Sequence, residues 1–209
     1  MKTYPLPLFP LNLVVFPDEK LKLHVFEPRY KQMMKECQEQ KKTFGIPVYV
    51  DGKVKEYGTE MQLIAIEKVY SGGEMDIVTK GIRAFSLSSF TKKAPNKLYA
   101  FGEVAFRQNI DDGDSSLTLQ IREQLLALYE VLKVDQTPKH GFSSFEVAHN
   151  IGFSIEQEYE LLQITKESER QIKILKHLQE IVPVIVETEK IKKKVQMNGY
   201  FRNFNILDL

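Results

Sequence analysis

The stretch Pro5–Tyr30, PLPLFPLNLVVFPDEKLKLHVFEPRY, decides how the N-terminal half is built. Pro5, Pro7, Pro10, Pro17 and Pro28 punctuate it, so no long helix forms there, and the Leu, Val and Phe residues between them favour extended chain. Short strands joined by fixed corners follow. Leu21, Leu23 and Val25 alternate with Lys20, Lys22 and His24, the period-two pattern of a strand with one buried face. That strand runs into Phe26-Glu27-Pro28-Arg29-Tyr30, where Pro28 suits the first turn of a helix. Tyr30, Met33, Met34 and Cys37 then fall at i, i+3, i+4 and i+7, which predicts a short helix from Arg29 to about Gln40 packing that face on the strands. Cys37 reads as a small buried hydrophobe, since no His stands near it in sequence to activate a thiolate.

Outward from this stretch the strand pattern continues. FGIPVYV from Phe44 reaches a turn at Asp51-Gly52, and GTEMQLIAIEKVY alternates through Met61, Leu63 and Ala65 to a second turn at Gly72-Gly73. EMDIVTKGIRAFSLSSF and Leu98–Gln108 supply two more strands, and Gly81 inside the first marks a bulge or a close backbone approach. Six or more strands with turns at this spacing predict a closed or partly closed barrel. Strand patterning stops at Asp111-Asp112-Gly113-Asp114, a linker that lacks the Glu a calcium loop needs at its twelfth position. Helical spacing takes over: a helix from about Ser116 to Val134, capping boxes at Ser143/Glu146 and Ser154/Gln157, and a long helix from the second box that Pro183 stops or kinks. The expected division is residues 1–112 for the barrel and 113–209 for the helices.

Bulk composition narrows the classes of function. Lys and Arg total 29 against 28 Asp and Glu, so no net field favours nucleic acid or an anionic membrane. A single cysteine excludes an internal disulfide, prolines interrupt the N-terminus where a signal peptide needs an unbroken apolar core, and no apolar run approaches the ~20 residues of a membrane span. A soluble cytoplasmic protein is expected. No G-x-x-x-x-G-K-[ST] or H-E-x-x-H occurs, and His24, His140, His149 and His177 are scattered, so neither a metal nor a cofactor is expected. His149 and His177 read as surface or interface side chains. Glu27, with Asp18 or Glu19, could form an acid and base pair, but Glu27 and Arg29 read better as a hydrogen-bonded corner.

Pro7-Leu8-Phe9-Pro10-Leu11, then Val15-Phe16-Pro17, then Leu23 through Tyr30, in that order, resemble the opening of the N-terminal substrate-binding domain of ATP-dependent Lon proteases. Gly58-Thr59, Ile66-Glu67-Lys68-Val69, Gly72-Gly73 and Gly81–Phe85 are similar to its second block, with Ala84 placed between Arg83 and Phe85 where the family usually has an Arg-Phe pair. Leu161-Leu162 and Arg170 stand where its helical half carries a Leu-Leu pair and an Arg, so the likeness runs from Leu6 to Ile185. It implies an α+β protein: a PUA-like β-barrel of about six strands with a short helix, followed by a helical bundle ending in a long helix. The ATPase and peptidase of a full Lon protease do not fit in the 24 residues after Ile185.

The expected function is therefore a non-enzymatic module that binds unfolded or apolar polypeptide segments, or a client protein. The proline-bounded loop carrying Pro10, Leu11, Leu13, Val14 and Pro17 is the candidate contact, because it holds more apolar side chains than a short barrel edge buries; the bland alternative is that they fill space inside the fold. Phe26, Glu27, Pro28, Arg29 and Tyr30 are expected to form the structural corner. The alternative function is an adaptor docking on a separate protease or other partner through the long helix or the tail Tyr200-Phe201-Arg202-Asn203-Phe204. A peptidase and an RNA-binding PUA-like protein rank behind both.

Overall fold

The computed structural model describes residues 2–93 and 96–203, with 197–203 by backbone alone. The side chains of the tail Tyr200–Asn203, and Phe204 altogether, lie outside the described residues. In chain order come strands β1 (Tyr4–Leu8) and β2 (Lys20–Val25), helix α1 (Pro28–Gln40), strands β3 (Phe44–Val50), β4 (Lys53–Val69), β5 (Met75–Thr91) and β6 (Ala100–Phe106), and helices α2 (Ser115–Leu132), α3 (Ser144–Val147), α4 (Ile155–Gln163) and α5 (Glu167–Asn203).

The strands form one mixed sheet in the order β2-β5-β4-β3-β1-β6, and β5 also pairs with β6. That last pairing closes β1, β3, β4, β5 and β6 into a barrel and leaves β2 as an extra strand. Closure is possible because β5 serves two neighbours in turn: Met75–Lys80 pair with β2, and Phe85–Thr91 pair with β6. Inside, Tyr30, Met33, Met34 and Cys37 of α1 are buried, as their spacing predicts, in a cluster with Phe9, Phe44, Met61 and Ile77. Leu6, Leu8, Phe85 and Val104 form a second cluster.

The chain divides into two compact units, one made of residues up to Asp111 with Ala148–Lys166, the other of Asp112–Val147 with the chain from Glu167. Segment 148–166, which sequence pattern groups with the helices, thus belongs with the barrel. It buries Ala148, Ile151, Leu161 and Leu162, and two polar bonds tie it to distant segments: the Ile110 N–H donates to Thr165 O at 2.9 Å, and the Tyr57 N–H donates to the Tyr159 hydroxyl at 3.2 Å.

Three helical expectations change. The long helix does not begin at Ser154: the Ser154/Gln157 box caps only the nine residues of α4, and Ile164 is extended at φ −78°, ψ 123°. A parallel bridge between Ile110 and Lys166 draws this short segment into strand geometry, so α5 starts afresh at Glu167. Of the two effects expected of Pro183, stopping the helix is not seen, since α5 runs through it; Pro183 and Gln179 are both exposed. The Asp111–Asp114 linker also does more than connect. Asp114 accepts from the Ser116 N–H at 2.7 Å and caps α2, while Asp112 accepts from the Ser168 N–H at 3.0 Å and from its hydroxyl at 2.9 Å in the first turn of α5.

Candidate polypeptide-binding cleft

The proline-bounded loop after β1 is held at both ends. Phe9 N–H donates to Gly45 O at 2.8 Å and Tyr49 N–H to Leu11 O at 2.8 Å, so the first half rides along β3. The second half is buried. Asp18 N–H donates to Gly81 O at 3.0 Å, Gly81 N–H returns a bond to Glu19 O at 2.8 Å, and the Thr59 hydroxyl donates to Val15 O. Gly81 is required there, since a Cβ at that position would lie 2.3 Å from Phe16 O. The expected close backbone approach is this one.

Burial separates the five loop residues. Val14 and Pro17 are buried and offer no surface to a ligand, a correction to the reading of the loop as a single contact. Leu11 and Leu13 are partly buried and pack against the main core cluster, because the β3 hydrogen bonds pull their backbone onto the barrel. Pro10 alone of the five lines an open cleft of about 730 Å³.

The expected corner contributes to the same cleft. Pro28 occupies the first helical position, and the Tyr30 and Lys31 N–H groups both donate to Glu27 O at 3.0 Å. Arg29 Nε donates to Glu27 Oε2 at 2.8 Å, and its guanidinium lies 4.5 Å from the Tyr30 ring centroid. The Tyr30 ring in turn stacks on Phe9 at 3.6 Å. Burial raises the Tyr30 phenol above its ordinary pKa, against the opposing pull of Arg29, so the ring stays neutral. Phe26 is the exception in this corner: it is exposed and stacks only loosely on His24, at 6.2 Å.

Around Pro10, Arg29 and Tyr30 the cleft gathers Tyr49, Val54, Leu87, Phe90 and Ala100, with Lys53 and Lys92 at its rim. Tyr49 and Lys53 are brought together by the tight β3–β4 turn, in which Asp51 and Gly52 both adopt positive φ, 54° and 74°. Leu87 and Phe90 come from the half of β5 that closes on β6. Neither Lys53 nor Lys92 has an ion-pair partner among the described residues. The described lining of the cleft presents an apolar floor and a cationic rim.

The other imagined chemistry disperses. Asp18 pairs with Lys80 at 2.7 Å, Glu19 accepts from the Phe16 N–H at 2.8 Å, and Glu27 holds Arg29, so the carboxylates form no acid and base pair. Among the described residues no group of His, Cys, Asp and Glu could hold a metal ion. Of the surface or interface side chains expected, His177 is buried rather than at the surface, and His149 is held between Glu19 and Glu158. Burial raises the Cys37 thiol to about 11, which leaves it an unreactive core group.

The family model of the ATP-dependent protease La (LON) substrate-binding domain matches residues 5–180. The chain belongs to this Lon substrate-binding domain family. Among solved structures, the Lon N-terminal domain protein from Xanthomonas campestris is 26% identical, with a TM-score of 0.65 over 82% of this chain and 97% of that one. The N-terminal domain of the Mycobacterium avium complex Lon protease, 13% identical, shares the fold with a TM-score of 0.64 over 84% of this chain and 98% of that one. No curated protein matches the chain. The Lon N-terminal fold is thus shared across both units, and the α+β expectation of about six strands with helices holds, five of the six strands closing the barrel.

Of the cleft residues, sequence reasoning named Pro10 alone as a contact; it placed Arg29 and Tyr30 in a structural corner and missed Tyr49, Val54, Leu87, Phe90 and the two lysines. One signal was available: in FGIPVYV, Tyr49 stands on the opposite face from Ile46 and Val48, next to a turn that puts it at a barrel mouth.

Proposed function

We propose that the chain is a non-enzymatic polypeptide-recognition module, and that the cleft floored by Pro10, Tyr30, Val54, Leu87 and Phe90 takes apolar side chains of an unfolded segment. The observation that carries this reading is the cleft itself: an open concavity of about 730 Å³ with an apolar floor and unpaired Lys53 and Lys92 on its rim. Burying apolar side chains supplies the affinity, and the lysines favour segments with acidic flanks. Family membership supports a polypeptide as the ligand. In this reading the segments bound are unfolded or apolar, nucleic acid and membrane are not partners, and the protein works in the cytoplasm.

Fluorescence anisotropy with labelled, reduced and carboxymethylated lactalbumin, a permanently unfolded chain, tests it. The wild type is expected to bind saturably. A Tyr49→Ser/Phe90→Ser variant should bind about tenfold more weakly, the loss of one well-packed anchor. Its melting temperature should fall by several degrees, since Phe90 also packs against the second core cluster, so binding is compared at a temperature where circular dichroism shows both proteins folded. Equal binding by the variant rejects the cleft. Cleavage of the probe by stringently purified protein, with or without ATP and Mg²⁺, rejects the non-enzymatic reading.

A further inference from the structure

β4 outlasts its partner. The first residue of β3, Phe44, pairs with Met61, and beyond that point Gln62–Val69 pair with β5 only. The chain that would have continued along this edge turns away. Lys41 adopts φ 51°, and the Lys41 and Lys42 N–H groups both return to Cys37 O at the end of α1. A cavity of about 220 Å³ is left in the row that β3 vacates, between Gln62–Ile66 on one side and Cys37, Lys41, Lys42 and Thr43 on the other.

Two of the open strand edges of this sheet are treated differently. On β2 the edge carries Lys20, Lys22 and His24, with Lys22 paired to Glu67 at 3.1 Å and His24 to Asp76 at 2.6 Å. Charge of this kind discourages strand addition. Gln62-Leu63-Ile64-Ala65-Ile66 carries no charge and no proline. Leu63 and Ile66 pack on the core, while Ile64, unpaired at a bulge, is 50% exposed beside the cavity. Lys41 and Lys42 have no ion-pair partner among the described residues.

We infer that this edge is a second binding site, which takes a short extended peptide by strand addition along Gln62–Ile66. The added strand fills the vacated row, so it runs as β3 does, antiparallel to β4, and its C-terminal end abuts Lys42 and Thr43. The occupant is accordingly a peptide with an acidic C-terminal end: backbone hydrogen bonds to β4 hold it, Ile64 packs against one of its alternate side chains, and Lys41 and Lys42 take its carboxylates. The site is independent of the cleft, so the two readings fail separately.

The test uses the full chain and a labelled peptide of alternating valine and threonine ending in two aspartates with a free carboxylate. The wild type and the Tyr49→Ser/Phe90→Ser variant should bind it equally. Methylating alternate backbone nitrogens, which keeps every side chain and removes donors, should weaken binding at least about tenfold, the loss of two or three net hydrogen bonds. Ile64→Lys should do the same with the melting temperature unchanged, and K41E/K42E should weaken this peptide while leaving one ending in two lysines with an amidated terminus no worse. Undiminished binding of the methylated peptide, or by both variants, overturns the proposal. So does sedimentation showing that the wild type pairs with a second copy and Ile64→Lys does not.

Discussion

His149 lies between two carboxylates, with Nδ1 2.7 Å from Glu158 Oε1 and Nε2 3.1 Å from Glu19 Oε2, and its ring is 4.9 Å from that of Phe16. The hydrogen bond with Glu158, then that with Glu19, outweigh burial and raise its pKa from 6.5 to about 10. A folded-state pKa above the unfolded one means the protonated ring stabilises the fold fully below about pH 6.5, and this contribution declines as pH rises until it is gone above about 10. The side chain is 36% exposed, so solvent screens the pairs and the contribution is about 1 kcal/mol, not what the shift alone implies. His149→Gln should therefore melt a few degrees below the wild type at pH 6, with the gap closing as the pH approaches 10; a gap independent of pH between 6 and 10 contradicts this. Leu11 and Leu13 answer a different question at the same scale. Their packing against the core predicts that Leu11→Ser/Leu13→Ser lowers stability by about 2 kcal/mol or more, readable as a denaturant midpoint shift.

Between β1 and β2 the loop is an element in its own right, buried against Gly81 in one half and partly open in the other. Gly81→Ala pushes a Cβ to 2.3 Å from Phe16 O, so the loop or β5 must shift. A loss of about 2–4 kcal/mol is expected, measured by denaturant unfolding, with a neutral result showing that the loop yields freely. At this scale the sequence was most readable where a local rule has a single outcome. The i, i+3, i+4, i+7 face of α1 and the Ser154/Gln157 box were legible because helix geometry and capping are local. The end of α4 was not, because a backbone bond from Ile110, far away in sequence, makes Ile164–Lys166 extended. Of the cleft, only Pro10 was legible as a contact, for the same reason. Pro10, Arg29 and Tyr30 belong to one continuous stretch, whereas Leu87 and Phe90 reach them only through the register by which β5 closes on β6. Periodicity marked the loop residues as apolar but could not say that Val14 and Pro17 face inward.

Across the whole molecule, both units repeat one device, a polar tie between segments distant in sequence. In the barrel unit, Glu60 accepts from the Thr43 hydroxyl and from Arg83 Nε, each at 2.7 Å. In the helical unit, buried Arg170 meets Glu167 at 2.7 Å, and Glu167 also accepts from the Ser144 N–H at 2.7 Å. These groups are committed to structure, whereas Lys53 and Lys92 at the cleft rim have no ion-pair partner among the described residues. Among the described residues no helix is long and apolar enough to cross a membrane. The most direct test of polypeptide recognition at the cleft places a photo-crosslinking amino acid at position 90, and for comparison at position 126 on the exposed face of α2, and irradiates each protein with unfolded lactalbumin. Recognition at the cleft predicts that position 90 crosslinks in a concentration-dependent way that unlabelled unfolded chain competes away, while position 126 does not. Equal crosslinking from both positions, or none from position 90, contradicts it.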